Sequence, residues 1–175
     1  NFLKKVRELC NKTKTVLIFD ECTSGFRENY GGLHMKYKIY PDLAMFGKAL
    51  GNGHAITAVI GKKEVMKAAD NTFISSTFWT ERSGYAAALK TLELMKKFKT
   101  WQHITKLGNY IDKEWKRIAS KNNIKIYTMG LPALRNFNFH SKDNIKYKYL
   151  ITQEMLKKNI LASNCIYLSI EHKKK

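Results

Sequence analysis

Two short segments contain side chains that are candidates for a reactive or ligand-binding site. The first is VLIFDE at residues 16–21, an apolar run that stops at Asp20 and Glu21. The second is FGKALGNG at residues 46–53, in which Lys48 follows a glycine and precedes a Gly-Asn-Gly turn. Polar groups at the carboxyl end of a buried parallel strand lie where open α/β sheets bind ligands. Both segments therefore indicate a ligand site at one edge of a sheet.

Lys48 is the first candidate for a reactive group. A lysine directly after a short buried strand is well placed to enter a cleft, where burial and nearby positive charge make its amine a usable nucleophile toward an aldehyde. The alternative is an ordinary surface lysine beside a flexible turn. Position alone leaves both interpretations open.

The VLIFDE strand has a competing interpretation. An apolar strand that ends in Asp-Glu is also the metal-holding strand of nucleotide triphosphatases. Such proteins need a G-x-x-x-x-G-K-[ST] loop to cradle phosphates, and the 175 residues contain none. The triphosphatase hypothesis stays open as an alternative.

The charge suggests a third hypothesis, a non-catalytic basic binding module. The formal net charge is +18, but the lysines that supply it are scattered along the chain. Binding to a phosphate backbone needs a coherent positive face. A solvated, lysine-rich surface is the interpretation that we favour, and we expect no nucleic-acid partner.

The amino-acid composition indicates the compartment that the protein occupies and the kinds of site that it can form. Three cysteines without a C-x-x-C pair favour neither a disulfide framework nor a thiolate zinc site, and a reducing cytoplasm fits them best. The five histidines show no metal-ligand spacing. No apolar run approaches the roughly 18 residues of a membrane helix, so we expect no membrane partner. No signal peptide is evident, and a first residue other than Met suggests that the sequence begins inside a longer protein.

Hydrophobic periodicity and turn residues predict the secondary structure around these two segments. Helices are expected over residues 2–10, 62–69, 81–97, 101–118 and 145–158. Strands are expected over residues 15–19, 43–46, 55–60, 72–78, 124–128, 133–139 and 165–170. Residues 22–41 are expected to form a long loop, and a domain junction is placed near residue 120.

Four segments then give the sequence a specific resemblance. They are FDECTSGFR at 19–27, PDLAMFGKALGNG at 41–53, ITAVIGKKEVM at 56–66 and STFWTERSG at 76–84. In order, spacing and identity they resemble the class III pyridoxal-phosphate-dependent aminotransferases, most of all the branch similar to glutamate-1-semialdehyde 2,1-aminomutase.

The resemblance implies roles for individual residues. Lys48 resembles the lysine that holds pyridoxal 5′-phosphate as a Schiff base, and Asp20 the carboxylate that pairs with the pyridine nitrogen. Cys22 stands where the family usually has a valine against the cofactor ring. Thr77 resembles the threonine that bonds the cofactor phosphate across a dimer interface. The resemblance assigns Glu21, Arg27, Trp79 and Glu81 nothing beyond loop shape.

The resemblance also implies a fold and partners. We expect an α/β protein of the fold-type-I pyridoxal-phosphate transferase class. Residues 1–120 would be part of a large domain with a mixed, mostly parallel sheet, and residues 121–175 part of a small α+β domain. We expect a homodimer with its active site at the interface and a small-molecule amino donor and acceptor. The family is more than twice as long as this chain, so we expect the 175 residues alone to be inactive.

Overall fold

A computed structural model describes residues 2–173 of the chain. The chain divides into two compact units, one up to Trp101 and one from Gln102 onward. This division lies near the start of helix α5 (Thr100–Lys121). The predicted domains 1–120 and 121–175 remain a prediction.

The first unit is built on a three-stranded mixed sheet. Strands β1 (Ile18–Asp20) and β2 (Leu43–Phe46) are parallel, with Asp20 opposite Met45. Strand β3 (Ala58–Gly61) runs antiparallel to β2, which is the central strand. The parallel pair brings the carboxyl ends of β1 and β2 to the same edge of the sheet.

Along the chain, helices and short helical turns precede, separate and follow the three strands. The chain enters through α1 (Phe2–Thr13), and α2 (Leu33–Tyr37) lies within the connection between β1 and β2. A 3₁₀ turn spans Lys48–Leu50 after β2. The remaining helical elements of this unit are α3 (Lys63–Met66), a 3₁₀ turn over Lys67–Asn71 and α4 (Arg82–Phe98).

A small apolar core lies beneath the end of β2. Ala44 and Phe46 of β2 are buried with Leu50 of the 3₁₀ turn and Ala88 of α4. Alternation along β2 directs these two strand residues to one face, which is the expected pattern for a strand packed against a helix. The residues that follow β2 are thus fixed on both sides, by the strand before them and by the buried Leu50 after them.

The second unit combines α5 with a β-hairpin and a further helix. Strands β4 (Ile126–Met129) and β5 (Asn136–Phe139) are antiparallel, and a 3₁₀ turn over Pro132–Leu134 lies between them. Helix α6 (Asn144–Leu156) follows. Ile104, Ala133 and Leu168 form the buried core of this unit.

Several predicted strands differ from the structure. In the one predicted over 133–139, residues 133 and 134 belong to the 3₁₀ turn and the strand begins at Asn136. Residues 72–78 form no strand; Phe73 is 94% exposed and no neighbouring strand pairs with this segment. The predicted strand at 165–170 is an extended segment that exchanges scattered backbone hydrogen bonds with residues 133–137 and forms only an isolated bridge, Asn136 with Cys165. β1 is displaced toward Asp20, and it is not buried on both faces, because Ile18 is 50% exposed on this edge strand.

Candidate active site

Asp20 and Lys48 lie at the same edge of the first unit's sheet. Asp20 is the last residue of β1, and the backbone N–H of Glu21 extends the pairing by donating to the Met45 carbonyl over 2.8 Å. Lys48 follows the end of β2 after a single glycine. Because β1 and β2 are parallel neighbours, Asp20 and Lys48 lie at the same edge of the sheet.

The backbone of Lys48 adopts an unusual conformation. Its φ is +45°, in the left-handed region that a non-glycine residue seldom occupies. Such a conformation persists only where the surroundings impose it, and it is common at functional sites. Lys48 is the first residue of the 3₁₀ turn, whose last residue, Leu50, is buried. The side chain of Lys48 is exposed in this chain, so the enclosed cleft that we expected around it is not formed by these residues.

The Lys48 amine has one defined partner, the hydroxyl of Thr23. Lys48 Nζ donates to Thr23 Oγ1 over 2.5 Å. The donor and the acceptor come from different segments, the turn after β2 and the loop after β1. The sequence did not identify Thr23 as a site residue. The only available signal was its place inside the segment that also holds Asp20 and Cys22.

Asp20 is held as a carboxylate. Its Oδ1 accepts a hydrogen bond from the backbone N–H of Cys22 over 2.9 Å. This bond, followed by a contact with the Cys22 side chain and the nearby positive charge of Lys48, lowers the pKa of Asp20 below its ordinary value. Asp20 is exposed and faces the space beyond the strand ends, where a cationic or protonated ligand atom would find it charged.

Cys22 is half-buried beside the turn that carries Lys48. A side-chain carbon added at Gly47 would lie 3.5 Å from Cys22 Sγ, so the thiol lies against the residue before Lys48. Burial, followed by the interaction with Asp20, raises the pKa of the Cys22 thiol. Cys22 is therefore a small neutral side chain next to the two charged groups, which suits contact with a flat ligand surface.

Glu21 shapes the loop after β1 through hydrogen bonds that the sequence did not identify. Its buried carboxylate accepts hydrogen bonds from Ser24 Oγ at 2.5 Å and from the backbone N–H groups of Leu33 and His34 at 2.9 Å. Burial works to raise the pKa of Glu21, but these hydrogen bonds outweigh it and hold the pKa below its usual value. Glu21 thus ties both ends of the loop between β1 and α2 together.

The hydrogen bonds of Glu21 are relevant to the hypothesis that VLIFDE is the metal-holding strand of a nucleotide triphosphatase. Both of its oxygens already accept hydrogen bonds from protein groups. Within residues 2–173, no group of three or more His, Cys, Asp or Glu side chains is arranged to hold a metal ion. Nothing in this arrangement supports VLIFDE as the metal-holding strand of a nucleotide triphosphatase.

Thr77 is not joined to the other predicted site residues. It lies in an exposed turn ahead of α4, next to a hydrogen bond in which the Phe78 N–H donates to Ser76 Oγ over 3.3 Å. Over the described part of the chain, no hydrogen bond connects Thr77 with Asp20, Cys22 or Lys48. The role of Thr77 across a dimer interface stays a prediction.

Comparison with known proteins decides the family. Residues 1–165 match the family model described as aminotransferase class-III. The chain belongs to the class III aminotransferases. This confirms the resemblance that the four sequence segments carried, and the match gives no support to the triphosphatase or basic-module hypotheses.

Curated class III aminotransferases and aminomutases are similar to this chain over most of its length. A 3-aminobutyryl-CoA aminotransferase of Cloacimonas acidaminovorans (strain Evry) is 36% identical over 153 residues, which are 87% of this chain and 37% of that protein. A glutamate-1-semialdehyde 2,1-aminomutase of Wigglesworthia glossinidia brevipalpis is 32% identical over 193 residues, covering 100% of this chain and 44% of that protein. The chain thus spans less than half the length of these two relatives.

Solved structures confirm the fold. The PLP internal aldimine form of the FumI protein from Sphingopyxis sp. MTA144 superposes with a TM-score of 0.90 at 23% identity, covering 98% of this chain and 42% of that one. An omega-transaminase from Sphaerobacter thermophilus gives a TM-score of 0.85 at 23% identity, covering 96% and 42%. The fold is therefore the α/β fold of the fold-type-I pyridoxal-phosphate transferases, of which this chain forms a part. Over the described residues, none of the helices has both the length and the apolar character needed to cross a bilayer.

Proposed function

We propose that this chain supplies the cofactor-holding lysine and the ring-nitrogen carboxylate of a pyridoxal-phosphate-dependent aminotransferase or aminomutase. The observation that carries the proposal is the position of Asp20 and Lys48 at the carboxyl ends of two neighbouring parallel strands. This edge is where open α/β sheets bind ligands. Family membership makes amino-group transfer the chemistry that such a pair would serve.

The residues present fit pyridoxal phosphate. The cofactor offers an aldehyde carbon and a pyridine ring that withdraws electrons once its nitrogen is protonated. The Lys48 amine is exposed and able to reach an aldehyde, so Lys48 would hold the cofactor covalently through Nζ. The lowered pKa of Asp20 keeps that carboxylate charged, which is what a protonated ring nitrogen requires of its partner.

The same two residues would also handle protons. The Lys48 amine would also serve as a general base, taking a proton from a substrate carbon at this sheet edge and returning it. Asp20 would stay ionised throughout and would stabilise positive charge on the ring nitrogen. Cys22, half-buried between them, would contact the ring face as a small uncharged side chain.

Thr77 and the assembly complete the proposal. We propose that Thr77 bonds the cofactor phosphate of a second subunit, because it lies in an exposed turn within a motif of the family. Exposed apolar side chains of the same segment, among them Phe73, Phe78 and Trp79, support a homodimer interface there. We further propose that residues 1–120 belong to the cofactor-binding domain and 121–175 to a smaller domain. The proposal also places the protein in the cytoplasm, acting on a small-molecule amino donor and acceptor.

A spectroscopic titration tests the proposal. The protein is made at the full length that its gene encodes, and pyridoxal phosphate is added while its visible absorption is recorded. We expect a new band for the unaltered protein and for Lys90→Ala, which removes an exposed lysine of α4. Lys48→Ala should give no such band and no transamination. A band of unchanged position and strength in Lys48→Ala would contradict the proposed role of Lys48.

A further inference from the structure

We propose that Thr23 is a positioning residue that holds the Lys48 amine apart from the Asp20 carboxylate. This inference rests on the proposed function and adds a residue to it. Asp20 and Lys48 have opposite charges and lie at the same sheet edge, so direct pairing between them is the obvious competing arrangement. Such a pair would occupy both groups that the cofactor needs.

The geometry shows which arrangement prevails. Lys48 Nζ donates to Thr23 Oγ1 over 2.5 Å, and after the hydrogen bond from the Cys22 N–H its charge makes a smaller contribution to the lowered pKa of Asp20. Yet Asp20 and Lys48, both described by the structure, form no ion pair within 4 Å. Asp20 Oδ1 instead accepts from the Cys22 N–H. The amine is therefore held by a neutral acceptor while the carboxylate stays open on its ligand side.

The hydroxyl can act in this way because its loop is rigid. Glu21 is buried and bonded to Ser24, the residue after Thr23. Gly25 is in such close contact with β2 that an added side-chain carbon would lie 2.8 Å from the Phe46 ring and 2.7 Å from the Glu21 carbonyl oxygen. Phe46 belongs to the buried core directly before the Lys48 turn. The acceptor and the donor are thus built onto the same core.

The chemistry of the acceptor matters as much as its position. A hydroxyl oxygen accepts a hydrogen bond without adding charge, so it holds the amine less strongly than a carboxylate would. An amine held in this way would be free to lose its proton and condense with an aldehyde, with release of water, and it would return to the hydroxyl when that bond is hydrolysed. Without the hydroxyl, the Asp20 carboxylate, which already interacts with the Lys48 charge, is the competing acceptor that we expect the amine to pair with.

Chemical labelling of the cofactor-free protein tests the proposal directly. The variants are Thr23→Val, which keeps the side-chain shape, and Thr23→Ser, which keeps the hydroxyl. Each full-length protein is freed of cofactor and treated at low salt with a trace of an amine-acylating reagent, and the rate at Lys48 is read by mass spectrometry. Lys90, paired with Glu93 on the exposed face of α4, serves as the internal control.

We expect Thr23→Val to slow labelling of Lys48 by about three- to tenfold, since a charge-assisted pair with Asp20 replaces a bond to a neutral acceptor. Thr23→Ser should restore the rate, and Lys90 should not change in any variant. In the double variant Thr23→Val, Asp20→Asn the slowing should disappear. Unchanged or faster labelling in Thr23→Val, or equal slowing in the double variant, would overturn the proposal.

A second readout links the positioning to the cofactor. Thr23→Val should raise the dissociation constant for pyridoxal phosphate by a similar factor, and Thr23→Ser should leave it unchanged. If the unaltered protein binds no cofactor at Lys48, the proposed function fails, whereas the labelling experiment still decides the role of Thr23. If cofactor binds and neither readout responds to Thr23→Val, only the positioning role is lost.

Discussion

Arg7 Nη1 donates to Asp42 Oδ2 over 2.8 Å, which joins helix α1 to the start of strand β2. The same carboxylate accepts from the backbone N–H of Leu17 at 2.8 Å and pairs with Lys62 at 2.7 Å. Asp42 therefore connects four segments around the sheet whose opposite end carries Asp20 and Lys48. The side chain is 8% exposed, so its charge is compensated by these partners rather than by water.

Asp42→Ala should destabilise the protein strongly. It leaves the Arg7 guanidinium, 16% exposed, without its carboxylate partner and removes the acceptor for the Leu17 N–H. Breaking a buried pair in this way costs about 3 kcal/mol or more of unfolding free energy. Urea unfolding at pH 7 measures the loss. Glu93→Ala, which removes an exposed pair with Lys90, should change stability by no more than about 0.5 kcal/mol. Similar losses in the two variants would contradict the importance of the Asp42 network.

The Asp42 carboxylate should also make the free energy of unfolding depend on pH in the acid range. The hydrogen bond from the Leu17 N–H, followed by those from Lys62 and Arg7, lowers the pKa of Asp42 far below its ordinary value. Because the folded pKa lies below the unfolded one, this stabilisation is complete above the unfolded value of about 3.9 and is lost as the pH falls toward the folded value. Urea unfolding, measured from pH 5 downward, should therefore show a steeper loss of unfolding free energy for the unaltered protein than for Asp42→Asn. Parallel curves would show that Asp42 does not carry this dependence.

Glu21→Ala should loosen the loop that holds Cys22 and Thr23. The variant removes the acceptor for Ser24 and for the N–H groups that open α2, Leu33 and His34. Each buried donor left without a partner costs about 1–3 kcal/mol. Hydrogen exchange should accelerate at the amides of Leu33 and His34. Glu8→Ala, an exposed change on α1, is the control that should leave these amides unaffected. Protection that survives in Glu21→Ala would mean that other contacts hold the loop.

Gly108→Ala should destabilise the second unit although it places a better helix former in α5. Alanine normally stabilises a helix interior by about 1 kcal/mol relative to glycine. At Gly108, however, the added carbon would lie 2.0 Å from the Pro132 carbonyl oxygen, so the backbone around the 3₁₀ turn must shift. We expect a net loss of about 1–3 kcal/mol, the usual cost of overpacking. Ser120→Ala, at an exposed position of the same helix, should be neutral or stabilising in thermal unfolding. A gain in stability from Gly108→Ala would contradict the close approach.

The sequence predicted the parts of the fold that local patterns determine. The apolar run Leu43–Phe46 is a strand with the predicted limits, and α4, α5 and α6 lie close to their predicted positions. The position of Asp20 and of Lys48 after an apolar strand was also predictable, whereas the parallel pairing that gives them a common sheet edge is seen in the structure.

Features that depend on distant partners were not predictable. Residues 72–78 have strand-forming side chains, yet among residues 2–173 no strand pairs with them. Asp42 and Glu21 owe their roles to donors that are far away in sequence, such as Arg7 and His34. Thr23 was missed for the same reason, since its partner Lys48 is 25 residues away.

The proposed role of Lys48 is tested most directly by trapping the cofactor on this lysine. Full-length protein is incubated with pyridoxal phosphate, reduced with borohydride and digested, and the peptides are mapped by mass spectrometry. We predict that the added mass of the reduced cofactor lies on Lys48, and that Lys48→Ala carries no stoichiometric label on any residue. Stoichiometric labelling at another lysine, or none at all in a folded protein, would contradict the assignment of Lys48.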